Sequence, residues 1–168
     1  KKLCDEIIVV DTGSSDETIN IAKSNGAVVH ELTWENHFGK ARNYSFSLAK
    51  NDWIFYIDAD ERLSESLING VPYLLSQDNS KEIFTFPIID EMVPNAGGTY
   101  PGPIRLFPKD HFRYDESPRG HTQSVVHDCK VINTRLPILH CQRRNSPLVT
   151  LEKTLLRVAI DVQDYPKE

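Results

Sequence analysis

The stretch WIFYIDADERL, residues 53–63, decides the fold. Its first five residues form an unbroken apolar run, the pattern of a strand buried on both faces. The run ends at Asp58-Ala59-Asp60, so the strand is expected to present two carboxylates at its C-terminal end. Upstream, VVDTGSSD (residues 9–16) has the same arrangement, with the apolar run 6–10 closing on Asp11 and a polar turn. Between these stretches the pattern predicts a helix that ends at Asn25-Gly26. A strand over 27–32, a loop over 34–39 and a helix over 40–49 follow. Ser14 and Glu17 have the spacing of a capping box for the first helix. Strands alternating with helices predict an α/β fold with a mainly parallel sheet of right-handed βαβ units. Ligands of such sheets bind beyond the carboxyl ends of the strands, where Asp11 and Asp58 are both expected.

Beyond Asp60 the pattern changes. A helical stretch over 64–76 is interrupted by Gly70 and Pro72, and short strands are expected over 82–89, 104–107, 124–126 and 131–140. Residues 127–130 read as a hairpin turn, and 94–103 as a loop rich in Gly and Pro. An amphipathic helix is expected over 147–164, with Leu151, Leu155, Val158 and Val162 near helical spacing. There is no internal repeat.

A chain of 168 residues, 39% hydrophobic and 26% charged, suits one soluble globular domain. Nineteen Lys and Arg against 24 Asp and Glu give a net charge of −5 without a basic block, which disfavours nucleic acid as a partner. A carboxylate site that recruits a cation suits the acidic balance. Cys4, Cys129 and Cys141 are an odd number without CxxC spacing, so a reducing, cytoplasmic setting is expected. No apolar run approaches the ~20 residues needed to cross a bilayer, and a signal peptide is not expected. The start at Lys1-Lys2, almost directly followed by a buried-type strand, reads as an N-terminal truncation.

Two carboxylates spaced as Asp-x-Asp at a strand end can share a divalent cation and the hydroxyls of a ribose. The cation then bridges a diphosphate and neutralises the charge that grows on it as a leaving group. Alone, Asp-x-Asp arises often by chance. After a buried strand, with a second acid after an earlier strand, it carries more weight.

Residues 5–63 resemble the large second family of inverting glycosyltransferases, which has the GT-A fold. The similarity is strongest to the lipopolysaccharide-core glucosyltransferases and the bacteriocin S-glycosyltransferases. It is carried by the Asp-rich turn 11–16, by Lys40-Ala41-Arg42-Asn43 and by Asp58-Ala59-Asp60-Glu61. It implies that Asp11 contacts the nucleotide base, that Lys40 and Arg42 belong to the nucleotide-sugar site, and that Asp58 meets the ribose or sugar. It also implies that Asp60 ligates Mn²⁺ or Mg²⁺. More weakly, Arg105-Leu106-Phe107 matches an R-L-F strand of the look-alikes, and His140, closing a hairpin-like segment, is a further metal candidate. In the relatives the strand before the position of Glu6 lies in mid-sheet.

An inverting transfer needs a general base on the face opposite the leaving group. The relatives usually carry His followed by Asp or Glu just before the hairpin, whereas this chain has Gly120-His121-Thr122-Gln123. Asp128, Glu116 and His121, with Asp115, are the candidates, and the base is unassigned.

The expectation is a single glycosyltransferase domain over 1–168, with a nucleotide-binding half (1–63) and an acceptor-side half (64–168). Its partners would be a nucleotide-diphospho-sugar donor, UDP-sugar favoured, and a saccharide, lipid-linked or peptide acceptor, with room for peripheral membrane contact. Plainer readings stand beside these. Asp11 suits a turn-former, Lys40 and Arg42 a solvated helix face, and His140 an ordinary hydrogen-bonded histidine. Two rival functions remain, a non-catalytic nucleotide-sugar-binding relative and a haloacid-dehalogenase-type phosphatase. The phosphatase wants Thr or Val where this chain has Arg62.

Overall fold

A computed structural model describes residues 3–90, 98–117 and 123–141, and the backbone of 157–162. The first half runs β1 (Glu6–Asp11), α1 (Thr18–Ser24), β2 (Val28–Glu31), α2 (Phe38–Leu48) and β3 (Trp53–Asp58). Then come β4 (Glu61–Leu63), α3 (Glu65–Ser76), β5 (Glu82–Thr85), β6 (Ile88–Asp90), β7 (Ile104–Pro108) and a 3₁₀ turn at Lys109–His111. The last elements are β8 (Phe112–Tyr114), β9 (Ser124–Val126), β10 (Lys130–Asn133), β11 (Ile138–His140) and β12 (Arg157–Val162).

Among the described residues the main sheet has the strand order β10-β5-β7-β3-β12-β1-β2. β1 and β2 pair in parallel, as do β5 and β10. β12 is antiparallel to both β1 and β3, and β7 is antiparallel to both β3 and β5. Hence β1, β2, β3, β5 and β10 all point one way, and only β7 and β12 oppose them. A second sheet, β4-β11-β6, and a pair, β8-β9, flank the main sheet.

β3 explains why its sequence is apolar throughout. Trp53 and Phe55 enter one core with Leu67, Val71 and Leu75 of α3. Ile54 and Tyr56 enter another with Phe46 of α2, Phe107 and Phe112. Each large side chain buried in this way contributes about 1.5–3 kcal/mol of apolar transfer. The rigid centre of the sheet thus ends at Asp58.

Several expectations need correction. The helix expected over 147–164 is not what the described part shows, since Arg157–Val162 is a strand. Its sequence RVAIDV places β-branched residues at alternate positions, and the gap between β1 and β3 offers it two ladders. The rest of 147–164 lies outside the described residues, as does part of the loop 94–103. Residues 127–130 are not a hairpin turn, because β9 pairs with β8 while β10 joins β5 in another sheet. Asp128, with φ 49°, takes the left-handed conformation there. The strands expected over 82–89 and 131–140 each break in two, near Pro87 and Pro137, because proline cannot donate to a ladder. α3, by contrast, runs through Gly70 and Pro72 unbroken, started by Ser64, whose Oγ accepts from Leu67 N at 3.2 Å. The capping box does not form. Ser14 Oγ donates to Asp11 instead, and the Glu17 side chain accepts from Asn20 Nδ2 at 2.8 Å.

Candidate active site

Strand alternation sends Asp58 to the α2 side of the sheet, in line with Ile54 and Tyr56. Two guanidinium groups meet it there. Arg42 Nη2, from α2, lies 3.7 Å from Asp58 Oδ2, and Arg105 Nη2, from the start of β7, lies 3.6 Å from the same oxygen. Both arginines stack on aromatic rings. The Arg105 guanidinium carbon is 4.5 Å from the Tyr56 ring centre, and that of Arg42 is 4.8 Å from Tyr114. The Tyr56 and Tyr114 hydroxyls share a hydrogen bond, and burial, with Tyr56 close by, drives the Tyr114 phenol far above its ordinary range.

Glu61 ties the strand end together. Its Oε2 accepts from the backbone N–H of Asp58 at 2.7 Å, and its Oε1 accepts from Arg105 Nη2 at 2.5 Å. Burial raises the Glu61 carboxyl above its usual range, and the attraction of Arg105 only partly offsets this. Asp60 stands between these anchors, its side chain 42% exposed. Its carbonyl accepts from Cys141 N at 2.7 Å, and His140 Nε2 lies 3.3 Å from its Oδ2. The pairing of β11 with β4 sets His140 opposite Glu61 and so delivers the imidazole to Asp60.

Asp11 closes β1 at the same edge. Val10 and Asp58 are both level with Arg157 of the intervening β12, so the ends of β1 and β3 stand two strand spacings, about 10 Å, apart. The Asp11 carboxylate is buried and folded into its own turn. Its Oδ2 accepts from Gly13 N (3.0 Å) and Ser14 N (2.9 Å), and Gly13 supports that turn with φ 120°. Asp11 therefore shapes the loop that follows β1.

The remaining candidates are dispersed. Lys40 leaves α2 on another side from Arg42 and pairs with exposed Glu35 at 2.8 Å. It lines a groove of about 630 Å³ with Trp34, His37, Tyr44, Arg113 and Glu116, apart from Asp58 and Asp60. Glu116 accepts from Asn43 Nδ2 at 2.8 Å, which keeps it beside α2. Asp115 is held below the usual carboxylate range by hydrogen bonds from the Ser117 N–H and hydroxyl. Asp128 is a correction. Phe84 is level with Leu106 and Leu106 with Phe55, while Lys130 pairs with Glu82. Asp58 lies three residues beyond Phe55 and Glu82 two before Phe84, so Asp128 sits at the opposite sheet edge, roughly 16 Å back along the strands. There it pairs with Lys81 at 2.5 Å, and this holds its carboxyl low. It cannot serve a reaction at Asp58. His121 lies outside the described residues.

Trp34 and Phe38 stack edge to face, with centroids 5.1 Å apart, so they pack on each other. Sequence reading gave no role to Glu61 or Asn43 and none beyond a motif match to Arg105. Asn43 exchanges two hydrogen bonds with the Tyr114 backbone, at 2.8 and 2.9 Å, and thereby fastens α2 to β8. The one available signal for Arg105 was an arginine opening an apolar strand.

No group of three or more metal-binding side chains converges among the described residues. Asp60 would supply one carboxylate to Mg²⁺ or Mn²⁺, with the His140 imidazole beside it, and Mg²⁺ is commonly held by one or two carboxylates plus substrate phosphates. The Asp60 side chain is 42% exposed, so solvent reaches it.

The family model described as Glycosyl transferase family 2 matches residues 2–136. An uncharacterized glycosyltransferase of Rickettsia felis is 39% identical over 139 residues, 79% of this chain and 47% of the relative. One of Rickettsia bellii is 32% identical over 139 residues, 79% of this chain and 46% of the relative. The SPbeta prophage-derived glycosyltransferase SunS of Bacillus subtilis is 38% identical over 129 residues, 71% of this chain and 30% of that protein. The chain spans less than half the length of these relatives.

Proposed function

The chain belongs to glycosyl transferase family 2, with the GT-A fold, and from that premise we propose that it moves a sugar from a nucleotide-diphospho-sugar to an acceptor nucleophile with inversion. A UDP-sugar is the favoured donor, Mn²⁺ or Mg²⁺ the favoured cation, and a saccharide, lipid or peptide the acceptor. The three cysteines, Cys4, Cys129 and Cys141, form no disulfide with one another, which suits the cytoplasm, where nucleotide sugars are at hand. The phosphatase reading falls away with the family.

One observation carries the proposal: Asp58 and Asp60, two arginines and the Asp11 turn share one edge of the sheet. In this reading the Asp11 turn receives the base, Asp58 orients the ribose or sugar, and Arg42 attracts the diphosphate. Asp60 and His140 would hold the cation, which when bound supplies positive charge to the diphosphate leaving group. The base stays unassigned, since Glu116 lines the groove beside α2, apart from Asp58 and Asp60, and His121 lies outside the described residues. An acidic nucleophile such as a thiol would need less help from a base.

The test is Asp60→Asn. Asp60 is half exposed, so the variant should fold with an unchanged thermal midpoint in buffer. Wild-type protein should gain stability with UDP only when Mn²⁺ is present, because a ligand that binds the folded state alone raises its midpoint. The variant should lose that gain. An undiminished Mn²⁺-dependent gain would refute the assignment of Asp60.

A further inference from the structure

Arg105 is hard to explain by stability. Its side chain is 4% exposed, yet its Nε and Nη1 have no hydrogen-bond partner. Its counter-ion Glu61 is 3% exposed, so two charges have left water for one short ion pair. Burying such a pair with unmet donors returns little or nothing relative to apolar side chains of the same size. A feature of that cost at the end of the central strand points to a job other than holding the fold.

The geometry shows what that job requires. Arg105 Nη2 touches Glu61 and approaches Asp58 with the same nitrogen, and Glu61 grips the Asp58 backbone N–H with its second oxygen. The two ends of the turn Asp58-Ala59-Asp60-Glu61 are thereby clamped to each other and to β7. With Asp58 and Glu61 fixed and the Asp60 carbonyl accepting from Cys141 N, the Asp60 backbone between them is anchored as well. We propose that Arg105 and Glu61 are a positioning pair that aims Asp58 and Asp60 at the cation-bridged diphosphate, without itself touching the cation or the diphosphate. The inference rests on the donor reading above.

The experiment is calorimetric titration of the full chain with UDP, once with Mn²⁺ and once with EDTA. The variant is Arg105→Met/Glu61→Gln, which removes both charges at similar volume. It should unfold at or above the wild-type temperature. Its Mn²⁺-dependent UDP affinity should fall by about ten- to hundredfold, the usual effect of removing a partner that orients a metal ligand. Its affinity in EDTA, where the Asp58 contact to the ribose persists without the cation, should fall less, whereas a merely structural defect would lower both equally. Should the double variant not fold, Arg105→Lys serves instead: the shorter lysine loses the planar stack on Tyr56 and carries a more strongly hydrated charge, so a smaller loss of the same kind is expected. Wild-type Mn²⁺-dependent affinity in the folded variant, or an equal loss with and without Mn²⁺, overturns the positioning pair alone. Absence of Mn²⁺-dependent UDP binding by the wild type overturns the donor reading itself.

Discussion

At the scale of single residues, the α2 side of the site is a stack of alternating cations and aromatic rings. Tyr56 lies under Arg105, Tyr114 lies under Arg42, and the two phenols are hydrogen-bonded. A phenol whose pKa is raised in the folded state binds its proton more tightly there than in the unfolded chain. Its contribution is therefore complete below the ordinary tyrosine value of 10.0 and is lost as the pH rises above it. Tyr114→Phe removes that proton. The variant should lose less stability than the wild type between about pH 9 and about pH 11, measured by urea unfolding at each pH. Parallel pH curves for the two proteins would mean that Tyr114 ionises as freely folded as unfolded.

At the scale of elements, α3 shows how a helix can tolerate two breakers when its packing wants them. A Cβ on Gly70 would lie 2.6 and 3.0 Å from the two methyl groups of Leu136, so this glycine marks a close approach between α3 and the segment leading into β11. Gly70→Ala gains about 1 kcal/mol of helix propensity, but overpacking costs typically about 1–3 kcal/mol. The substitution should be destabilising by roughly 1 kcal/mol in the wild type, and stabilising when Leu136 is also Ala. Denaturant unfolding of the four proteins checks this, and the same sign in both backgrounds would contradict the contact. β12 teaches a different lesson. The spacing of Leu151, Leu155, Val158 and Val162 fits a helix, while Val158, Ile160 and Val162 fit a strand equally well. The pattern alone does not choose between them. Two vacant ladders on β1 and β3 do, because their backbone groups need partners in a buried sheet.

At the scale of the whole molecule, the site stands at one edge of a seven-stranded sheet, while the 630 Å³ groove with Lys40 lies between α2 and the segment 109–116. No helix among the described residues is long and apolar enough to cross a membrane. An active transferase and a binding-only relative differ in one respect that needs no acceptor. A live site polarises its donor, so slow Mn²⁺-dependent release of free sugar from UDP-sugars is expected above the no-enzyme rate and absent from Asp60→Asn. Tight UDP-sugar binding without any hydrolysis would favour the binding-only reading.

The sequence by itself determined the layout that depends on local pattern. Short apolar runs rich in β-branched and aromatic residues favoured buried strands over helices, and each closed on a carboxylate, so Asp11 and the Asp58–Asp60 turn were legible as strand ends. Motif resemblance then supplied the family. What the sequence could not contain was distance. Arg105 and Arg42 are 63 positions apart yet converge on one oxygen of Asp58, and His140 reaches Asp60 only because β11 pairs with β4. Asp128 was attractive for its nearness in sequence and fails because strand direction carries it to the far edge. Strand pairing, register and the partition of side chains between two faces arise from long-range contacts, and those alone decided which charges share a site.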